Sequence, residues 1–235
     1  MKRQLPERVI FLFTLFVGFS RIGFADFLGS SIPLSAELRK EMTGKSWREG
    51  CPVGFDDLRL LRLVYLDFSG KQQTGELIVW KGVSDEVISI FRDLFTAKYK
   101  IASMVLPERL PGGKSNGEVN NTSGFYCRKD EQTPSQMSRH SYGLSIDINP
   151  IQNPAIVGRS ISPKSGKKFL DRSLKDPAMI HEGDEVFTIF ARHGWAWGGY
   201  FKQVDYHHFD KVITPYYRAN QIEYLPPSER VSGLK

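Results

Sequence analysis

Ser138-Arg139-His140-Ser141-Tyr142-Gly143-Leu144-Ser145-Ile146-Asp147 is the stretch on which the reading of this chain turns. After Gly143, Leu144, Ile146 and Ile148 alternate with Ser145 and Asp147, the period of a strand that buries its aliphatic side chains and presents Asp147 on the other face. Gly143 permits a tight turn before that strand, so a loop histidine and a strand aspartate can face one point. A second cluster, Asp205-Tyr206-His207-His208, lies downstream. A zinc site with three protein ligands and an open position for water needs neutral imidazoles and a carboxylate, converging at about 2.0 to 2.2 Å. His140, Asp147 and His208 supply that set. Spacing alone leaves a second reading open, in which each is a hydrogen-bonded structural residue.

Around this centre the pattern predicts a mixed α and β domain. Leu61 to Phe68 and Thr74 to Trp80 are apolar runs flanking Ser69-Gly70-Lys71, which reads as a β-hairpin. Ser84 then stands as a candidate N-cap, with Asp85 and Glu86 in the first turn and Val87, Phe91, Leu94 and Phe95 on one face to about Lys98. Residues 107 to 124 are rich in proline and glycine and read as a surface loop, and a longer loop runs from Pro150 through Gly166. Asp184 can cap a short helix with an apolar face of Val186, Phe187 and Phe190, stopped at Gly194. Val204 to Phe209 is expected to form a last strand, in which neighbours His207 and His208 point to opposite faces. The segment 26–53 reads as an irregular lead-in with at most a short helix near Ala36 to Met42.

Lys2, Arg3 and Arg8 precede an apolar run from Val9 to Phe19 and then Gly23-Phe24-Ala25, the pattern of a secretory signal over residues 1–25, either cleaved or kept as an anchor. The run is about 11 residues against the roughly 20 a transmembrane helix needs, so no stable span is expected after cleavage. The formal charge of +6 falls to about +3 without that segment, which removes four basic residues and one acidic one. That is too mild to argue for nucleic acid. Cys51 and Cys127 are the two cysteines, and in an exported chain an even pair favours one disulfide. Neither has a neighbour at metal-ligand spacing, which excludes a zinc-thiolate site.

The detailed motifs carry a resemblance. Ser138-x-His140 with Asp147 seven residues on, then Asp205-x-x-His208, resembles the zinc D-alanyl-D-alanine carboxypeptidases and L-alanyl-D-glutamate endopeptidases of the VanY, VanX and phage endolysin type. Phe125-Tyr126-Cys127-Arg128, Ile148-Asn149-Pro150 and Gly194-Trp195-Ala196-Trp197-Gly198-Gly199 look like the exported bacterial branch, and the resemblance covers about residues 48 to 210. Two positions depart from the family pattern: Ser145 replaces a small apolar residue, and Asp210 stands where a glutamate usually follows His-Phe. Neither is expected to touch a ligand, so both bear on local packing.

The resemblance implies a single α+β domain over residues 54–225, followed by a tail over 226–235. Its expected architecture is a small, mostly antiparallel sheet with packed helices and one zinc ion. It implies His140, Asp147 and His208 as ligands, Asp205 as the catalytic carboxylate, Arg128 as a catalytic and substrate-binding cation, and Ser138 as a substrate-binding hydroxyl. His208 is preferred to His207 because it precedes Phe209. His181 and His193 are expected outside the site, and Trp195 and Trp197 either line the cleft or pack the core. The implied reaction is hydrolysis of a peptide bond in peptidoglycan stem peptides, outside the cytoplasm, in the periplasm or extracellularly. A cut at a terminal D-alanine, an L-alanyl-D-glutamate cut and a cross-link cut all remain open. Rival classes are a non-catalytic zinc or cell-wall-binding module, as in the similar signalling domain of Hedgehog proteins, and a metal-free structural protein.

Overall fold

The computed structural model describes residues 26–130 and 135–211. The expected signal segment, the tail and the end of the expected domain lie outside the described residues. Chain order runs through strand β1 (Gly29–Pro33), helix α1 (Ala36–Met42), strands β2 (Leu58–Leu66) and β3 (Gln72–Trp80), helix α2 (Ser84–Thr96), strand β4 (Ser145–Asp147), the ribbon β5 (Ala155–Val157) and β6 (Ser160–Ser162), helix α3 (Glu185–Arg192), and strands β7 (Trp195–Trp197) and β8 (His208–Lys211). The class is α+β and the strand pairing antiparallel, as expected. The single small sheet is not: two three-stranded sheets, ordered β1-β2-β3 and β4-β8-β7, stand beside the β5-β6 ribbon.

The expected hairpin is β2 and β3, paired from Leu58↔Trp80 to Leu66↔Gln72. Its turn is tied by Asp67, whose carboxylate accepts from the backbone of Ser69 and Lys71 and from the side chain of Gln73. Both faces of this sheet are covered. Leu61, Leu63, Leu77 and Val79 pack against Val87, Ile90, Phe91 and Leu94 of α2. Leu58, Leu60 and Ile78 pack on the other side with Leu34, Leu38 and Met42 from the lead-in. Each such fully buried aliphatic side chain contributes about 2 kcal/mol.

That second cluster explains the largest departure from the sequence reading. The segment 26–53 is not an irregular wrap, because Gly29–Pro33 pairs with β2, while the short helix expected near Ala36 to Met42 stands as α1, with Ser35 accepting from the backbone of Leu38. Ser84 also differs: it is the first residue of α2, and its hydroxyl donates to the Lys81 carbonyl, while Val83 occupies the cap position. Asp184 does cap α3, accepting from the Phe187 amide, and Gly194 follows the helix with φ 71°.

The second sheet positions the site. Its inner face buries Ile146 and Phe209 against α3, where Phe190 stacks on Phe209 at 3.8 Å. Trp195 and Trp197 belong to this core, donating to Glu86 Oε1 and the Tyr206 carbonyl. Among the described residues no helix is long and apolar enough to cross a membrane.

Candidate metal centre

The outer face of β4 and β8 follows from the strand period. Ser145 and Asp147 share one face of β4, His208 and Asp210 share one face of β8, and the register sets Asp147 opposite His208 and Ser145 opposite Asp210. His140 reaches the same face from the single helical turn Arg139–Tyr142 before β4. Gly143 makes that approach possible, since its φ is +69° and a Cβ there would lie 2.4 Å from the Trp80 amide nitrogen.

One ligand atom each from His140, Asp147 and His208 lies within 4.8 Å of the others. His140 Nε2 is 3.2 Å from Asp147 Oδ2, and His208 Nδ1 is 2.9 Å from Asp147 Oδ1. Metal–ligand bonds of about 2.1 Å in a tetrahedral site set donor atoms about 3.4 Å apart, so the spacing fits a small divalent ion. The remaining imidazole nitrogens are engaged elsewhere: His140 Nδ1 is 2.6 Å from the Gly124 carbonyl oxygen, and His208 Nε2 is 2.8 Å from Asp210 Oδ1. Each ring therefore turns its other nitrogen towards Asp147, the point where a shared cation would sit.

Asp205 sits beside this trio. A Cβ at Gly198 would lie 2.3 Å from the Asp205 carbonyl oxygen, and the Asp205 amide donates to the Gly198 carbonyl at 3.0 Å. Close approach at a side-chain-free residue thus holds the loop before β8 against the turn after β7.

His207 corrects the strand argument. β8 begins only at His208, so His207 lies in the preceding turn and alternation does not turn it away. Its Nε2 lies 3.0 Å from Asp205 Oδ1 and 3.9 Å from Asp147 Oδ1, and its Nδ1 donates to the Asn153 carbonyl at 2.7 Å. Both histidines enter the site. Asp210 also departs from the expectation, because it touches the imidazole of His208, and it accepts the Ser145 hydroxyl at 2.5 Å, so Ser145 reaches that histidine only through Asp210. The signal is present in the sequence, since each lies two residues from a candidate ligand on that ligand's own strand face.

Electrostatics follow from burial and proximity. Burial pushes the Asp147 carboxyl up, but the charges of His140 and His207 and the hydrogen bonds to His140 and His208 outweigh it and hold it well below the usual carboxylate range. Burial pushes His207 down, yet the Asp205 and Asp147 carboxylates raise it to about 9. His208 is likewise lowered by burial and raised further by Asp210 and Asp147, to well above the ordinary histidine value. Asp210, despite complete burial, is brought down to about 2 by His208 and Arg139.

The cleft over this face measures about 1120 Å³, and its lining includes Arg128, Ser138 and Asp205 together with the three candidate ligands. The Arg128 backbone is locked to the His140 turn, because Ser141 Oγ accepts from its amide and donates to its carbonyl, both at 2.9 Å. Ser138 is buried and makes no capping bond to the turn it precedes. Cys51 and Cys127 form a disulfide, with Cα atoms 6.0 Å apart. His181 lies on the Arg172 carbonyl and His193 at the end of α3, neither in the trio.

No curated protein and no solved structure matches the chain. Residues 131–211, about a third of its length, match the model of a peptidase family described as D-alanyl-D-alanine carboxypeptidase. The matched stretch contains His140, Asp147, Asp205 and His208 and leaves out Arg128 and both cysteines, so the likeness rests on the segment that builds the candidate metal centre.

Proposed function

We propose that this protein is a zinc-dependent peptidase that hydrolyses an amide bond in the peptide part of peptidoglycan, with removal of a terminal D-alanine as the leading reaction. The observation that carries the reading is the convergence of His140 Nε2, Asp147 and His208 Nδ1 on the cleft wall, within a stretch that matches a carboxypeptidase family. These three residues would hold the ion. Zinc bound by such a set polarises a carbonyl and lowers the pKa of a water towards 7.

The chain's own groups do the rest. Asp205 takes a proton from the attacking water and returns it to the leaving amine, the work of a carboxylate three residues before a ligand histidine. His207 orients that carboxylate by holding Oδ1, which leaves Oδ2 for the reaction. Arg128 stabilises the developing oxyanion or holds a substrate carboxylate from the cleft wall, and the Ser138 hydroxyl contacts the substrate backbone. The disulfide supports an oxidising compartment, in keeping with an exported enzyme acting on the wall.

Incubating the protein with purified peptidoglycan fragments and weighing the products tests this. Loss of one terminal residue supports the carboxypeptidase, a split stem or cross-link transfers the reading to an endopeptidase, and unaltered fragments with zinc bound leave only a silent binding module.

A further inference from the structure

A neutral imidazole carries one N–H, and the nitrogen that bears it cannot bind a cation. In His208 the choice is forced by a buried set behind the ligand. Asp210 Oδ1 faces Nε2 at 2.8 Å, and Asp210 is only 1% exposed in its side chain. The same oxygen accepts the Ser145 hydroxyl, and Asp210 Oδ2 lies 3.0 Å from Arg139 Nε. Arg139 is itself anchored, donating from Nη2 to the Lys211 carbonyl at 2.8 Å.

We propose that Asp210, fixed by Ser145 and Arg139, is a positioning residue that keeps the proton of His208 on Nε2 and so commits Nδ1 to the metal. This rests on the metal reading above. An ionised carboxylate only accepts hydrogen bonds, so Nε2 must be the donor, and it cannot rotate away without losing two partners in a dry environment. The Arg139 guanidinium balances its charge. His140 is held by the opposite nitrogen and by a neutral backbone carbonyl, so the two histidines present different atoms to one point. The anionic partner makes His208 the more basic ligand of the two.

The test uses the full chain. Zinc affinity is measured by chelator competition for the parent, Asp210→Asn, Ser145→Ala and the double variant Ser145→Ala/Asp210→Glu, with thermal unfolding of each zinc-free protein as a folding control. In parallel, nitrogen-15 NMR of the zinc-loaded proteins reports which nitrogen of His208 keeps its proton. Asp210→Asn offers the ring a donor as well as an acceptor and should weaken zinc binding about 10- to 100-fold, with loss of the Nε2–H signal. Ser145→Ala, which frees one side of the carboxylate, should cost about threefold to tenfold. The double variant keeps a carboxylate on Nε2 and lets its longer side chain fill the space of the lost hydroxyl, so it should bind zinc to within about threefold of the parent. An Asp210→Asn protein that binds zinc as the parent does, with Nε2–H intact, overturns the proposal alone. If that variant fails to fold, parental affinity in Ser145→Ala overturns it instead. A parent that takes up no zinc sinks the metal reading and the proposal with it.

Discussion

Asp147 and His208 face each other directly across two antiparallel strands, with Oδ1 and Nδ1 2.9 Å apart. On the proposed metal reading, a carboxylate and an imidazole so placed, joined by His140 from the preceding turn, are a preformed set of ligands. Replacing any of the three by alanine should reduce zinc affinity by at least about a thousandfold and abolish turnover, because two protein donors cannot hold the ion at a three-ligand site. Metal content after dialysis checks this, and full zinc occupancy in His208→Ala would refute the assignment.

Asp205 is not among the candidate ligands, and on the proposed mechanism it acts in the chemistry without holding the metal. Asp205→Ala should keep one zinc per chain and lose about 10²- to 10⁴-fold in kcat, the usual contribution of a general acid–base. Unaltered turnover in a zinc-loaded Asp205→Ala protein would remove it from the mechanism.

The residues that were legible from sequence are those whose signal is local. The alternation around Asp147, the aspartate cap of α3 and the apolar face of α2 all depend on neighbours within a few positions, and each stands in the structure as the pattern implies. What escaped depends on partners far along the chain. β1 is a strand only because β2 offers an edge, and its sequence, Gly29-Ser30-Ser31-Ile32-Pro33, has no β propensity to announce it. The β5-β6 ribbon escaped for a different reason: its partners are close, but each strand is only three residues long and lies among Pro154, Gly158 and Pro163, which read as loop. His207 lies outside β8 because the strand begins at His208 and not at Val204, and a boundary shift of that size voids an argument from alternation. Ser145 and Asp210 are each visible in the sequence, but their pairing exists only through the register of β4 on β8.

His207 links the site to pH. Its pKa in the folded protein is raised to about 9, above the ordinary value near 6.5, so the stabilisation is complete below about pH 6.5 and is lost as pH rises through 9. The shift corresponds to roughly 3 kcal/mol. Urea unfolding of the zinc-free protein at pH 6.5 and 9.5 should show the loss in the parent and a smaller one in His207→Gln. Equal pH dependence in the two proteins would detach the effect from His207.

The disulfide fastens the cleft wall to the lead-in. Cys127 immediately precedes Arg128 and lies in the smaller core cluster, while Cys51 follows α1, 76 residues earlier. Cross-linking a loop of that length removes conformational freedom from the unfolded chain worth about 4 kcal/mol in the chain-entropy model. Cys51→Ser/Cys127→Ser should therefore lower unfolding free energy by a comparable amount. Because the Arg128 backbone is also held by Ser141, zinc affinity should stay within about threefold of the parent wherever the reduced chain is folded. Chemical denaturation and chelator competition on the same preparations measure both. A variant of parental stability would mean that the bridge only joins segments already held by packing, and a large fall in zinc affinity would show that the wall and the metal centre are coupled through Arg128.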